Sequence, residues 1–551
     1  MDQGLVLCSA NYMPLSPITF LEKTATVYGD KTSIVYGTVR FSWRETHERC
    51  LRLASALVQL HIVPGDIVAA LAPNVPELYE LHFSVPMAGA ILSALSTSLD
   101  AATLAVLLQK LDPKLIFVDY QFVEVVLKAL DSFLPDNSKR PHLVIILECS
   151  QSISTMTTPY QSLGLDYNSF LAVGKVGFKP VWPENECDPI TISFTSGSTG
   201  VPKGVVYSHR ATYLNSLAQM IQCELGKNPV FLWTLDMFRC NGWCLTWAMA
   251  AIGGTNICIR EVTSQIIFEA IYVHKVTHLC GPPILLNIIA EAPDCYQKPV
   301  CSKVFIVVAG ILPSPQIVKN VEVLGFIVSH GYGMTEALGP AIVGPWRTAS
   351  HEKAVNNERK LKSPQGVHNT FVEDFDVKDP NTMISLPSDG NTIGEIMFRS
   401  NIFMSGYFKS PNATREAFRG GWYHTGDIGV RQRNGSLRMK DRAKDSVTVG
   451  QETVSTLEIE SVLLRHPKIL RAAVVGKSDT VLKQVPCAFV ELKEEYSSSA
   501  EEIIKFCGDK LPEHMVPQLV VFGDIPVNFN GKAQKFILRE RINAMNSPTD
   551  N

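Results

Sequence analysis

The feature that most constrains the fold of this chain is a string at residues 195–204 that is rich in glycine and hydroxyl side chains. The segments on either side, residues 190–194 and 204–208, have the apolar and β-branched composition of strands. The string therefore predicts a hairpin loop between two neighbouring strands. Its residues are, in order, Thr195, Ser196, Gly197, Ser198, Thr199, Gly200, Val201, Pro202, Lys203 and Gly204.

The chemistry of this hairpin suits a phosphate group. Glycine lets backbone N–H groups approach an anion closely, and serine and threonine hydroxyls add further donors. Lys203 supplies a mobile positive charge. The string is not a Walker A loop, because the Gly-x-x-x-x-Gly-Lys-[Ser/Thr] spacing is absent and no helix follows at once. We therefore predict a loop that binds the phosphates of a nucleotide. The alternative interpretation is a polar hairpin that binds no ligand.

Composition narrows the class of protein. With 551 residues, the chain is too long for one ordinary core, so we expect more than one domain. A hydrophobic fraction of 46% and a charged fraction of 19% are typical of a globular protein rather than a disordered one. The net charge of −3 weighs against a general nucleic-acid binder. No apolar run approaches the length of a membrane span.

The expected compartment is the cytosol. The 13 cysteines are scattered without a Cys-x-x-Cys pair, which is typical of a reducing compartment. Residues 1–20 lack the basic stretch of a secretory or import signal. Residues 547–551 do not form a peroxisomal signal of the Ser-Lys-Leu type. This cytoplasmic expectation rests on missing signals and not on a feature of the chain.

The order of predicted elements indicates a large α/β body followed by a small α+β domain. A helix over residues 41–60 and strands over residues 115–119 and 142–147 alternate as they do in wound α/β sheets. Later elements follow the order helix, strand, strand, helix, strand, over residues 455–464, 469–475, 485–492, 500–511 and 516–522. We therefore predict an N-terminal domain of residues 1–440 and a C-terminal domain of residues 441–551, with a hinge near Lys444.

Further motifs follow the hairpin along the chain. They are Gly331-Tyr332-Gly333-Met334-Thr335-Glu336, Tyr423-His424-Thr425-Gly426-Asp427, Lys440-Asp441-Arg442-Ala443-Lys444-Asp445 and Gly531-Lys532. Together with the hairpin, they resemble the motifs of the adenylate-forming enzymes. That family includes acyl-CoA synthetases, aryl-CoA ligases, luciferases and the adenylation domains of peptide synthetases. Residues 233–235, 240–243 and 277–281 resemble a plant-type branch of acyl-activating enzymes.

The resemblance implies an acid–thiol ligase that uses ATP, Mg²⁺ and coenzyme A. In that family a carboxylate attacks the α-phosphate of ATP and releases pyrophosphate, and a thiol then takes the acyl group. Both reactants of the first step are anions, so positive charge must gather where negative charge develops. The resemblance assigns this role to Lys203 and to Lys532, which would bridge the carboxylate and the α-phosphate. Thr335 would hydrogen-bond a phosphate oxygen, and Glu336 would hold the metal.

The resemblance also implies contacts with the rest of the nucleotide. Asp427 would accept hydrogen bonds from the ribose hydroxyls, because a carboxylate accepts more than one. Arg442 would contact the same sugar, and the ring of Tyr332 would pack on the adenine. Further predicted cofactor contacts are Thr195, Ser196, Gly197, Ser198, Thr199, Gly200, Gly310, Gly331, Gly333, Lys444 and Gly450.

The second step is implied to need a movement of the C-terminal domain. In the family this domain swings, which removes Lys532 from the site and presents the loop around Gly450 to the pantetheine arm of coenzyme A. Lys444 lies at the expected pivot.

The wall of the acid pocket departs from the family pattern. Relatives have Pro-Met-Phe-His where this chain has Asp236-Met237-Phe238-Arg239, and Gly-Gly-Ala where it has Gly310-Ile311-Leu312. Arg239 could pair with Asp236 or bind the substrate carboxylate. The larger side chains favour a small acid, either a short- or medium-chain fatty acid or a small aromatic acid. The predicted substrate contacts are Phe238, Arg239, Ile311, Leu312 and Tyr332.

Two interpretations stay open at this point. The first is an active acyl-CoA synthetase, and the second is a weakened paralogue that binds nucleotide or acid with little turnover. Single residues also have structural alternatives. Glu336 could cap a helix, Asp427 could close a turn, and Lys532 could be an ordinary surface lysine.

Overall fold

A computed structural model describes residues 6, 8–134, 136, 140–148, 165–195, 202–300, 302–310, 313–344, 367–368, 370–527 and 533–546. The chain divides into two compact units. The first contains Met1–Asp374 and Arg399–Arg415, and the second contains Phe375–Phe398 and Glu416–Asn551. The functional boundary between residues 440 and 441 stays a prediction.

An eight-stranded sheet in the first unit carries the glycine-rich hairpin. In spatial order its strands are Gly406–Tyr407, Lys203–Ser208, Pro189–Thr195, Ile91–Ala94, Ile67–Leu71, Leu115–Asp119, His142–Ile146 and Leu165–Asp166. The last six run parallel, and the first two pair antiparallel. Its central strands are buried along their whole length, as is typical of parallel sheets. The strands predicted around the hairpin and at residues 115–119 and 142–147 are confirmed.

A nine-stranded sheet in the same unit leads to the motif at residues 331–336. In spatial order its strands are Val367–His368, Gly339–Val343, Phe326–Met334, Val304–Ala309, His278–Gly281, Val230–Leu232, Thr255–Ile257, Thr32–Tyr36 and Val39–Ser42. The strands from Phe326–Met334 to Thr32–Tyr36 are parallel. The carboxyl ends of parallel strands meet at one edge, so the motif lies where ligands bind in such sheets.

Helices supply the remaining apolar surface of the first unit. The helix predicted at residues 41–60 is confirmed as Trp43–Gln59, and it begins at Ser42, which forms a capping box with Glu45. Within the described ranges, no helix combines the length and apolar character needed to cross a membrane. The other helices are Ile18–Val27, Pro76–Met87, Ala101–Leu111, Val123–Phe133, Tyr167–Val173, His209–Gln222, Leu245–Ile252, Ser264–His274, Ile284–Ala290 and Pro315–Val323, with the short turns Tyr120–Phe122, Cys240–Trp243 and Thr335–Ala337.

The second unit contains two smaller sheets. One has the strand order Asp374–Lys378, Gly394–Arg399, Tyr423–Arg431 and Leu437–Arg442. The other has the order Glu452–Val454, Val447–Val449, Lys483–Leu492 and Ile469–Asp479, and Leu519–Phe522 pairs with Lys483–Leu492. The helices are Pro411–Ala417, which straddles the two units, Thr456–Leu463, Ala500–Gly508 and Lys535–Asn546, with the turns Arg419–Gly421 and Glu513–Met515.

The predicted fold class, a large α/β body with a smaller α+β domain, is confirmed. The predicted order of C-terminal elements is also confirmed, although several boundaries differ. The helix predicted to end at residue 511 ends at Gly508, and the strand predicted from residue 516 begins at Leu519. The turn Glu513–Met515 occupies the difference, and its apolar Met515 packs into the core rather than extending the strand.

Candidate active site

The strand pair that the sequence predicted closes the base of the glycine-rich hairpin. Thr195 and Lys203 are partners in the antiparallel ladder, and Lys203 is half-buried. Residues 196–201 lie outside the described part of the chain. Phosphate binding therefore stays a prediction for Ser196, Gly197, Ser198, Thr199 and Gly200.

The motif at residues 331–336 ends a long strand and begins a tight turn. Tyr332 is on the strand and is 5% exposed. The strand is followed directly by the 3₁₀ turn Thr335–Ala337. Gly333 is needed for packing, because a Cβ atom there would overlap the carbonyl oxygen of Gly339. That glycine therefore has a structural role besides any contact with a nucleotide.

Gly310 and Gly331 lie on neighbouring strands. Ala309 is the ladder partner of Gly331, and Gly310 directly follows Ala309. The structure thus brings these two predicted cofactor contacts to the same edge of the nine-stranded sheet.

Two tyrosine hydroxyls hold the turn Thr335–Ala337. The Tyr207 hydroxyl donates to the Thr335 carbonyl oxygen at 2.6 Å, and the Tyr407 hydroxyl donates to Glu336 Oε1 at 2.7 Å. The backbone N–H of Met404 also donates to the Glu336 carbonyl oxygen at 2.8 Å. Burial raises the pKa of Tyr207 well above its usual value, so its hydroxyl stays protonated and remains a donor.

Lys203 and Glu336 both contact Tyr407. The ammonium nitrogen of Lys203 lies 4.8 Å from the centroid of the Tyr407 ring, which is within the range of a cation–π interaction. The hydroxyl of the same ring binds the Glu336 carboxylate. The structure therefore brings together Lys203, Thr335 and Glu336 of the predicted catalytic residues. Sequence reasoning missed Tyr407, since only the pairing of distant strands gives it this position.

Glu336 fits a magnesium ion that is shared with a nucleotide. Mg²⁺ prefers oxygen ligands, and in nucleotide sites it takes one or two carboxylates and completes its shell with water and phosphates. No group of three or more His, Cys, Asp or Glu side chains that could hold a metal by itself occurs among the described residues. One carboxylate beside the base of the predicted phosphate-binding hairpin is the donor set expected for a metal carried in with ATP.

The predicted acid wall contains a salt bridge. Arg239 Nε lies 2.6 Å from Asp236 Oδ2, and the guanidinium carbon lies 5.5 Å from the centroid of the Phe238 ring. Two partners were considered for Arg239, and in the structure it is paired with Asp236. Phe238 is buried. Ile311 and Leu312 lie outside the described residues, so their place in the wall stays a prediction.

A left-handed turn follows Arg239. Asn241 within it is fully buried, and its Oδ1 accepts hydrogen bonds from the Thr191 hydroxyl at 3.0 Å and the Ser193 hydroxyl at 2.9 Å. Left-handed backbone costs about 1–2 kcal/mol for each residue with a side chain. The two hydrogen bonds offset part of that cost and tie the turn to the strand that enters the hairpin. Consecutive φ values between 44° and 62° are found at Cys240, Asn241, Gly242, Trp243 and Cys244.

In the second unit, the predicted ribose contacts are partners in one strand pair. Asp427 and Arg442 are opposite each other in the antiparallel ladder, and Arg442 Nε lies 3.8 Å from Asp427 Oδ1. The structure therefore brings these two side chains together, as the resemblance implied. Whether they bind a sugar stays a prediction.

The predicted hinge and loop residues follow along the chain. Burial lowers the pKa of Lys444, and its carbonyl oxygen accepts a hydrogen bond from Arg539 at 2.9 Å. Gly450 has a φ of 63° and lies in the turn between the strands Val447–Val449 and Glu452–Val454. The positive φ of this turn therefore favours glycine at position 450. Lys532 lies outside the described residues, so its catalytic role stays a prediction.

Sequence reasoning also missed Glu395. This buried carboxylate lies in the strand Gly394–Arg399, where it accepts a hydrogen bond from the Gly426 N–H at 2.9 Å and pairs with His424 at 3.0 Å. A glutamate at the start of an apolar strand was the available signal, because buried charged side chains are almost always paired.

Comparison with known proteins places these features in a family. The sequence model of the AMP-binding enzymes matches residues 21–408, and the model of the AMP-binding enzyme C-terminal domain matches residues 458–532. The chain is 43% identical to a butyrate–CoA ligase of Arabidopsis thaliana, with 98% of this chain and 96% of that protein covered. It is also 43% identical to a 2-methylpropanoate–CoA ligase of Humulus lupulus, with coverages of 98% and 97%.

The fold is also found among solved structures. ATP-bound MatB from Rhodopseudomonas palustris is similar with a TM-score of 0.82 and 21% identity, over 97% of this chain and 100% of that one. At this identity the likeness shows the fold alone.

The expected cytosolic compartment is wrong. Four relatives that are 39–43% identical to this chain, including the Arabidopsis butyrate–CoA ligase, are named as peroxisomal. The expectation failed because it rested on missing signals, and import signals are read by receptors and leave no trace in composition or folding.

The enzyme class expected from the motifs is confirmed. CoA ligases and acyl-activating enzymes are 39–44% identical to this chain over nearly their full length, which supports acid–thiol ligase activity. The matched ranges include the hairpin, the motif at residues 331–336 and Gly531-Lys532, whereas the motifs at residues 423–427 and 440–445 lie between the two ranges. The chain belongs to the AMP-binding enzyme family.

Proposed function

We propose that this chain joins a short-chain carboxylic acid to coenzyme A through an acyl-adenylate. The observation that carries the proposal is the contact of Lys203 and Glu336 with the single side chain of Tyr407, at the base of the glycine-rich hairpin. A cation for phosphate and a carboxylate for Mg²⁺ are what this first step needs. The names of two relatives, which act on butyrate and 2-methylpropanoate, support a short aliphatic acid as substrate.

In the first half-reaction, a carboxylate oxygen of the acid attacks the α-phosphorus of ATP. A P–O bond forms, the bond to the bridging oxygen breaks, and pyrophosphate leaves with the additional negative charge. Lys203 and the Thr335 hydroxyl stabilise the phosphate oxygens, and Glu336 supplies the carboxylate ligand for the metal. Mg²⁺, when bound, neutralises charge on the phosphates. Lys532 bridges the acid and the α-phosphate and aligns them.

The acid lies against Phe238 and Arg239, with Tyr332 at the adenine. The salt bridge to Asp236 holds the Arg239 guanidinium over the Phe238 ring. In this proposal, the bulky pair of Phe238 and Arg239 restricts the length of acid that fits, and Ile311 and Leu312, which lie outside the described residues, remain predicted contacts. This restriction is consistent with an acid of about four carbons, such as the two acids in the names of the relatives.

In the second half-reaction, the thiol of coenzyme A attacks the acyl carbonyl carbon. A C–S bond forms, the C–O bond to the phosphate breaks, the thiol proton is released, and AMP leaves. We place the functional boundary between residues 440 and 441, with Lys444 as the pivot and the Gly450 turn facing the pantetheine arm.

The proposal also includes a peroxisomal location, which is supported by the names of relatives. Co-localisation of a tagged chain with a peroxisomal marker checks it.

A panel of acids tests the proposed reaction. Pyrophosphate release should be fastest with short linear and branched acids, slower with medium-chain and aromatic ones, and coenzyme A should convert the adenylate to a thioester of the expected mass. Lys532→Ala should reduce adenylate formation by at least about a hundredfold, because a charge aligned on the transition state is lost. Lys510→Ala, an exposed lysine of the same unit, is the control. Nucleotide binding without turnover on any acid would support the weakened paralogue instead.

Lys444→Pro tests the pivot. Proline fixes φ near −65° and prevents the rotation that a hinge requires. We expect thioester formation to fall at least about tenfold while adenylate formation is retained, with Lys444→Ala as the control that keeps backbone freedom. Equal loss of both half-reactions would contradict the assignment.

Tyr407→Phe tests the contact that carries the proposal. The variant keeps the ring beside Lys203 and removes the hydrogen bond to Glu336, so MgATP affinity should fall about tenfold. Equilibrium binding at several Mg²⁺ concentrations measures the effect. Tyr272→Phe is a matched control, because Tyr272 also lies beside lysine ammonium groups but outside the site. Unchanged affinity in Tyr407→Phe would remove the role of Tyr407.

A further inference from the structure

The segment that carries Asp427 forms a β-bulge where it pairs with the strand Gly394–Arg399. In the pairing of Gly394–Arg399 with Tyr423–Arg431, Glu395 is opposite Ile428 and Met397 is opposite His424. Ile396 therefore faces a three-residue segment, Thr425-Gly426-Asp427, and the ladder is irregular there. On this side the segment has no regular ladder pairing, whereas on its other side Asp427 pairs with Arg442 and the Gly426 carbonyl oxygen accepts a hydrogen bond from the Ala443 N–H at 2.9 Å.

The missing partners come from Glu395 and Ile396. Glu395 Oε1 accepts a hydrogen bond from the Gly426 N–H at 2.9 Å, and the Thr425 hydroxyl donates to the Ile396 carbonyl oxygen at 2.7 Å. The Asp427 N–H donates to the Thr425 hydroxyl oxygen at 3.0 Å. On the side of the strand Gly394–Arg399, the Asp427 backbone is thus held by a short chain of hydrogen bonds that ends at these two residues.

The second carboxylate oxygen of Glu395 anchors His424. Glu395 Oε2 lies 3.0 Å from His424 Nδ1, and His424 Nε2 lies 3.0 Å from the Arg419 carbonyl oxygen. Glu395 and the Arg419 carbonyl oxygen therefore hold the ring of His424 from two sides.

We infer that Glu395 is a positioning residue for the ribose of the nucleotide, acting through Gly426 on the carboxylate of Asp427. The ligand chemistry is a vicinal diol, since one carboxylate can accept hydrogen bonds from both hydroxyls of a sugar. The inference rests on the proposed contact of Asp427 with ribose. If Glu395 were lost, the carboxylate of Asp427 would no longer be oriented toward the sugar, although Arg442 would still lie beside it, at 3.8 Å in the wild-type chain.

Binding of ATP and of 2′,3′-dideoxy-ATP, each as the Mg²⁺ complex and without acid, tests this inference. The wild-type chain should bind ATP at least about tenfold more tightly than the dideoxy analogue, which corresponds to about 1.4 kcal/mol. Glu395→Ala should weaken ATP about tenfold and the analogue little, so that the ratio falls below about threefold. Glu395→Gln keeps the side-chain volume and an acceptor for Gly426, so it should give an intermediate affinity ratio. It replaces Glu395→Ala as the test if the alanine variant folds poorly.

Asp376→Asn is the matched control. Asp376 is another buried carboxylate of the same sheet, where it pairs with Lys378 at 3.2 Å and Arg431 at 3.5 Å and accepts a hydrogen bond from the Ser385 hydroxyl at 2.5 Å. This variant should destabilise the sheet and leave the affinity ratio at its wild-type value.

The two ligands separate a positioning role from a structural one. If Glu395→Ala and Glu395→Gln weaken both ligands equally and preserve the ratio, Glu395 only stabilises the fold and the inference is overturned. If the wild-type chain itself does not distinguish the two ligands, the contact of Asp427 with ribose is wrong, and the inference is lost with it.

Discussion

The first unit is organised around two hydrogen bonds from tyrosine hydroxyls. Tyr207 and Tyr407 lie on adjacent strands of the eight-stranded sheet, whereas their acceptors, Thr335 and Glu336, follow a strand of the nine-stranded sheet. A buried hydroxyl without a partner costs about 1–3 kcal/mol, which favours the bond made by the buried Tyr207, and the half-buried Tyr407 adds a second bond between the two sheets. The base of the hairpin and the turn with its carboxylate therefore come together for structural reasons, before any ligand binds.

Polar side chains outside the reacting groups hold other parts of the site in conformations that the backbone alone would not keep. The left-handed turn after Arg239 is tied to the sheet through Asn241, and the segment at residues 425–427 is tied to its neighbouring strand through Glu395. In both cases a buried polar group replaces regular pairing. Such positions are sensitive to substitution, because removing one partner leaves the other buried and unsatisfied.

The chemistry of the proposed reaction is divided between the two units. The first unit contains Lys203, the proposed metal ligand Glu336 and the predicted acid wall, and the second contains the pair of Asp427 and Arg442. The salt bridge between Arg239 and Asp236 distinguishes the acid wall of this chain from the family pattern.

The sequence by itself determined the fold class, the strands on both sides of the hairpin and the phosphate-binding chemistry expected of the hairpin, because these follow from local spacing and composition. The roles of the later motifs were implied by their resemblance to a known family. The sequence also identified the pair of Arg239 and Asp236 as one of two possibilities, since the two residues are close along the chain. Only the tertiary structure selected Tyr407 as the partner of Glu336 across 71 residues, and Glu395 as the partner of His424 across 29. Those contacts depend on which strands become neighbours, and strand order is decided by the burial of whole sheet faces rather than by any short segment.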